Sequence, residues 1–256
     1  MDSGLSADEV DLFAGYIVAA RRLGCVIEPL PRRFLQSRAQ AERVRDAILR
    51  HRLVRERAAG WRVEMRSGSS LPGYRLAYGM VGRPALTTSA VIPASLRSGS
   101  VFADAHLTLG DQVLPDATAE AAWRAVDSVG LALSALERIV HPATDDPHEG
   151  TATDFLSPTW VSVGPKLPAG GLATAEVAVE RNGTAVVRGA VGCSAAQIGR
   201  RLLGLSRQLA TIGQQISPGA TVLLNWMPSG VPVSAGDTIA VSLDGSVAAL
   251  YRCGQG

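Results

Sequence analysis

Residues 216–245 read ISPGATVLLNWMPSGVPVSAGDTIAVSLDG. Aliphatic and β-branched residues fill ATVLLNWM, a Pro-Ser-Gly break follows, and VPVSAGDTIAVSLDG alternates apolar with polar positions around two Gly-containing turns. That pattern predicts β-strands joined by tight turns. It continues into SVAALYRC at 246–253. Just upstream, TAEVAVE and TAVVRGA flank Arg181, Asn182 and Gly183, and Asn-Gly is the strongest short hairpin signal. One helix interrupts these strands, from about Ser194 to Ile212, with Gly213 as its cap.

The first part of the chain has a different character. Ser6 and Glu9 form a capping-box pattern, and Val10, Phe13, Ile17 and Ala20 follow at helical spacing, which predicts a helix over 6–24. A second helix is predicted over 37–59, with Val44, Ile48 and Leu49 on one face and arginines on the others. Glu42, Asp46 and Glu56 interleave with those arginines, so they read as a solvated face rather than a nucleic-acid stripe. The Gly-, Ser- and Pro-rich stretch 61–99 predicts short strands and loops, and the Ala-rich run 117–140 predicts a third helix. Helices early and antiparallel strands late give an α+β fold, with a helical part at 1–60 and a second part at 61–256.

At 46% hydrophobic content the 256 residues are ample for a buried core. A formal charge of +2 gives no reason to expect a nucleic-acid partner. Cys25, Cys193 and Cys253 lack CxxC spacing, which argues against a disulfide framework or structural zinc and fits a reducing, cytoplasmic setting. No apolar run reaches the ~18 residues of a membrane span, so no membrane partner is expected.

The order RNGTAVVRGAVG, a helix ending QLATIG, then 216–245 and a closing strand resembles the C-terminal half of the fumarylacetoacetate hydrolase superfamily. Within it the chain is most similar to the 2-hydroxypentadienoate (vinylpyruvate) hydratases and oxalocrotonate decarboxylases. PVSAGDTIAVSLDG carries the strongest match. AERVRDAILRHRL resembles the family's N-terminal helix, GYRLAY its Gly-Tyr-Lys-Ile-Gly strand, and SGSVFADA its Phe-Ala-Asp segment. The resemblance implies an α+β fold whose C-terminal part is a mixed, largely antiparallel β-sandwich or roll. It also implies a divalent cation, magnesium or manganese, held by three carboxylates, two of them in a Glu-x-Glu pair, and a homo-oligomer, dimer or larger.

The chain departs from that pattern. No Glu-x-Glu occurs, and after Asp104 the chain runs through His106, Leu107, Thr108 and Leu109 directly to the expected helix, so a ligand-bearing strand is expected to be deleted. Ser134 stands where the third carboxylate would be, and Arg75 stands for the family's strand lysine. No metal cofactor is therefore expected. The loop cluster His141, Asp145, Asp146, His148 and Glu149 lacks a diagnostic ligand spacing.

The candidate catalytic residues are Asp104, His106 and Arg75: an imidazole near a carboxylate for proton transfer, and a planar guanidinium to clamp an oxygen. Candidate substrate contacts are Tyr74, Tyr78, Asp154, Trp160, Asn225, Trp226 and Met227, expected to line an apolar cavity. The expected activity is a metal-independent lyase, isomerase or cyclase of secondary metabolism acting on a small enolisable or polyene ketone. The alternatives are a non-catalytic partner subunit and a magnesium-dependent hydratase or decarboxylase of 2-oxo acids.

Overall fold

The structure is a computed structural model and describes residues 5–31, 36–64, 78–87, 90–92, 99–137, 139, 153, 156–167, 171–227 and 229–254. The first helix, α1, spans Ala7–Leu23 and closes at both ends as the sequence dictates. Ser6 Oγ accepts from Glu9 N, the Glu9 carboxylate returns to the Ser6 backbone, and Gly24 ends the helix at φ 63°. Helix α2, Arg38–Leu53, starts at the Ser37 cap but stops short of the expected residue 59. Strand β1, Ala58–Glu64, begins where the helix was expected to continue. Val10, Ala14 and Ile17 of α1 pack on Ala41, Val44 and Ile48 of α2 in a cluster of their own.

The remaining strands are β2 (Tyr78–Gly82), β3 (Leu86–Thr87), β4 (Val91–Ile92), β5 (Gly99–Leu109), β6 (Val126–Glu137) and β7 (Trp160–Val163). After them come β8 (Glu176–Arg181), β9 (Thr184–Ala190), β10 (Thr221–Asn225), β11 (Val231–Pro232), β12 (Thr238–Leu243) and β13 (Ser246–Cys253). Helix α3 is Ala119–Arg124 and α4 is Ala195–Ala210, whose Ser194–Gln197 capping box matches the predicted start.

The expected third helix over 117–140 is thus one short helix followed by a long strand. β6 lies between β5 and β7 in an antiparallel ladder from Gly99↔Glu137 to Leu109↔Val126. Leu131, Leu133 and Ala135 face the main core while Ala132 and Ser134 are buried on the other face. With both faces buried, the run shows no polar alternation, and Leu- and Ala-rich composition imitates a helix. The expected deletion of a strand is corrected by the same observation, because the strand beside β5 is present.

A large sheet runs β2-β1-β10-β5-β6-β7-β3, with β11 added to β5. A second sheet runs β4-β13-β12-β8-β9. The β1–β10, β3–β7 and β4–β13 pairs are parallel and the others antiparallel. The fold is α+β with mixed, mostly antiparallel sheets, as expected. The edge strands of the large sheet, β2 and β3, are joined through only Arg83–Ala85. Four residue steps span at most about 14 Å, so this seven-strand path must curl until its edges nearly meet. Val81, Leu86, Ala132, Val161 and Leu223, from five different strands, accordingly pack together inside the curl. The outer face carries the main core, including Trp61, Met80, Leu107, Leu133 and Leu224, against which α4 lays Ile198, Leu202, Leu205 and Leu209.

Candidate active site

Strand alternation decides which side chains enter the curl. Leu223 and Ala132 point inward, so Asn225 and Ser134, two residues further along each strand, do so too. Register places Leu223 beside both Arg62 and His106, and Asn225 beside Asp104. Four polar side chains thereby meet inside the sheet. Asp104 Oδ2 accepts from Arg62 Nε at 2.9 Å, and Asp104 Oδ1 accepts from Arg62 Nη2 at 3.0 Å and from Asn225 Nδ2 at 3.1 Å. Ser134 Oγ also donates to Asp104 Oδ2. The Arg62 and Asp104 side chains are 1% and 0% exposed.

Two charges this deep persist only when paired and saturated with hydrogen bonds. The Asp104 carboxylate takes four donated bonds, and the guanidinium lies over the Phe102 ring, its Cζ 4.7 Å from the centroid. Phe102 stands opposite Ser134 in the ladder.

His106, two residues beyond Asp104 on the same face, lies opposite Gly130. A Cβ built on Gly130 would stand 3.1 Å from the Pro165 carbonyl oxygen and in ordinary contact, 3.7 Å, with His106 Nδ1. Burial holds the His106 pKa below its ordinary 6.5, which leaves the imidazole neutral near pH 7 and able to accept a proton.

The other expected site residues divide into three groups. Asn225 belongs to the buried cluster. Tyr78, Trp160 and Met227 do not: they face the main core. Tyr78 meets Trp61 edge-on and the Arg45 guanidinium. Trp160 packs edge-on against Tyr251, and Met227 Sδ accepts from Ala103 N. Tyr78 and Trp160 each lie one position out of phase with the inward residues, a distinction that short apolar runs do not reveal, whereas Met227 lies past the end of β10, where strand alternation no longer applies. Trp226, just past β10, rests on Gly189 of β9, and its Nε1 is the one buried side-chain polar atom without a partner among the described residues. Arg75, Tyr74, Asp154 and the 141–149 cluster lie outside the described residues. Arg62 was missed, although Gly60-Trp61-Arg62-Val63 fits the Gly-Tyr-Lys-Ile pattern as well as Gly73-Tyr74-Arg75-Leu76 does.

No protein-family model and no curated protein matches the chain. Solved structures do. The chain resembles 4-oxalocrotonate decarboxylase from Pseudomonas putida G7, complexed with magnesium and adipate, with a TM-score of 0.80 over 97% of this chain and 98% of that one, at 22% identity. It also resembles 2-hydroxyhepta-2,4-diene-1,7-dioate isomerase from Mycobacterium marinum, with a TM-score of 0.57 over 78% and 76% of the two chains at 15% identity. Fumarylpyruvate hydrolase from Pseudomonas aeruginosa, in complex with Mn2+ and pyruvate, gives 0.57 over 78% and 91% at 16% identity. The fold is that of the fumarylacetoacetate hydrolase superfamily.

The fumarylacetoacetate-hydrolase-like fold implies a divalent cation, and the described residues do not fit one. Within the buried cluster the one carboxylate, Asp104, has Phe102 and Ser134, a phenyl ring and a hydroxyl, as neighbours on its face of the sheet. The carboxylate is already saturated, with Arg62 supplying the positive charge. No group of three or more His, Cys, Asp or Glu residues suited to a metal ion occurs among the described residues. Magnesium and manganese want several hard, anionic oxygens.

Proposed function

We propose that this protein is an enzyme that acts without a bound metal on a small enolisable or polyene ketone, as a lyase, isomerase or cyclase. The observation that carries this reading is the commitment of Asp104, the carboxylate of the buried cluster, to Arg62, Ser134 and Asn225. With the charge neutralised internally, the group we assign the proton transfer is His106, on the same strand face as Asp104 and neutral by burial. Its imidazole would take a proton from the carbon next to a ketone and return it at another carbon, the electron pair passing through the enolate between the two steps. Arg75 and Tyr74 are proposed as donors to the ketone oxygen, and Asp154 and Trp226 as further substrate contacts. Holding a flexible polyene folded against apolar walls would supply several kcal/mol, enough to assist a ring closure without a Lewis acid.

The test is hydrogen–deuterium exchange at the α-carbon of a panel of ketones, followed by NMR in D2O with excess chelator. The reading expects exchange that survives the chelator and drops about 100-fold or more in His106→Gln. Exchange that stops on chelation and returns with magnesium would replace it with the cation-dependent reading, to which the magnesium-bound decarboxylase neighbour lends support.

A second reading is favoured by one specific observation: the Arg62–Asp104 pair is sealed from solvent, as suits a partner subunit that has lost catalysis. Such a protein would co-purify with an active homologue. A homo-oligomer in the cytoplasm remains part of the first proposal, and gel filtration with light scattering tests the assembly.

A further inference from the structure

We propose that a second cleft, outside the curled sheet, binds a small anionic ligand: a carboxylate or phosphate group carried on an apolar body. The cleft lies between the C-terminal ends of α1 and α2 and the segment 157–159, with a volume of about 820 Å³. That is the size of an ordinary small-molecule site. Its lining includes none of Arg62, Asp104 and His106, so this inference is independent of the chemistry proposed above.

Four arginines, Arg21, Arg22, Arg52 and Arg55, converge on the cleft against one described carboxylate, Glu56. Like charges gathered in one concavity repel each other and focus a positive potential that an anion relieves. Two of the four are built into the walls. Arg52 Nε donates to Glu56 Oε1 at 2.5 Å, and Arg21 donates to the Thr153 carbonyl from Nε at 3.3 Å and Nη2 at 2.8 Å.

Gly82 brings the floor against this wall. A Cβ there would stand 2.5 Å from Glu56 Oε2, so the glycine lets the Glu56 carboxylate of the ion pair lie close over the β2 backbone. Arg22 and Arg55 differ from the wall arginines. Both are exposed, and neither guanidinium is hydrogen-bonded or ion-paired to a described residue. They flank the opening with planar forks suited to a carboxylate or phosphate. Val18, Ala85 and Pro158 add an apolar wall, which a bare inorganic ion would not use.

The full-length chain is titrated by calorimetry with two probes, inorganic phosphate and hexanoate, at low and at physiological salt. Saturable binding of at least one probe is expected, weakened about tenfold or more in Arg22→Ala/Arg55→Ala, since each charge-assisted hydrogen bond contributes enough for that factor. Hexanoate alone binding identifies a carboxylate with an apolar tail as the ligand class, and phosphate alone identifies a phosphate. Both substituted positions are exposed, so circular dichroism and the melting temperature should not change. Absence of saturable binding by either probe overturns the proposal, and so does binding unaltered in the double variant.

Discussion

Arg62 and Asp104 lie 42 residues apart in sequence and bring two full charges into the interior of a sheet, a cost recovered only while both are present. Arg62→Ala strands a buried carboxylate and should destabilise the protein by about 3–5 kcal/mol in urea denaturation. The double substitution Arg62→Met/Asp104→Leu removes both charges at similar volume and should cost much less than the sum of its parts, a coupling read from the double-mutant cycle. His106 gives a pH signature. Burial lowers its folded pKa, so the unfolded chain binds the proton more readily; stability is therefore full above about 6.5 and lost as pH falls through the window below it. His106→Leu should flatten that part of the profile, measured as melting temperature against pH from 7.5 to 5. The thiols also differ. Burial pushes Cys193 up to about 11 and raises Cys253, while Cys25 is exposed, so an aromatic disulfide reagent at pH 8 should titrate one thiol quickly in the native protein and three after unfolding.

At the scale of the element, the legible features were those whose cause is local. The Ser6–Glu9 and Ser194–Gln197 boxes begin their helices as expected, and Asn182 and Gly183 adopt φ 53° and 77° in the β8–β9 turn. β6 was illegible because its strand character is imposed by β5 and β7 on either side. That misreading carried over to the site: with 126–137 taken as helix, the strand facing β5 looked deleted, and Phe102, Asp104 and Ser134 could not be seen as one constellation. Tyr78 and Trp160 stand on the core side rather than inside the curl, since a shift of one residue exchanges the two faces of a strand, and Met227 follows the end of β10. Tight contacts between elements are testable here. A Cβ on Gly199 of α4 would meet the Ala119 carbonyl oxygen at 1.9 Å, so Gly199→Val should separate α4 from α3 and cost roughly 3 kcal/mol or more, well beyond the slight gain expected for removing an unconstrained helical glycine. Thermal unfolding of the variant measures it.

At the scale of the whole molecule, the short connection between β2 and β3 forces the large sheet to curl, and the curl concentrates its inward residues into one small interior. Within it Asp104 is neutralised by another side chain of the same sheet, Arg62, and Phe102 and Ser134 stand opposite each other beside the pair. Arg62→Lys/Phe102→Glu/Ser134→Glu would gather three carboxylates there and should create a cation site, seen as a melting temperature that rises with Mn2+ in the variant and not in the parent. Calorimetric titration of the unaltered protein with Mn2+ tests the central claim most directly. The account predicts no saturable heat, whereas one-to-one binding that disappears in Asp104→Asn would contradict it and restore a metal to the interior of the sheet.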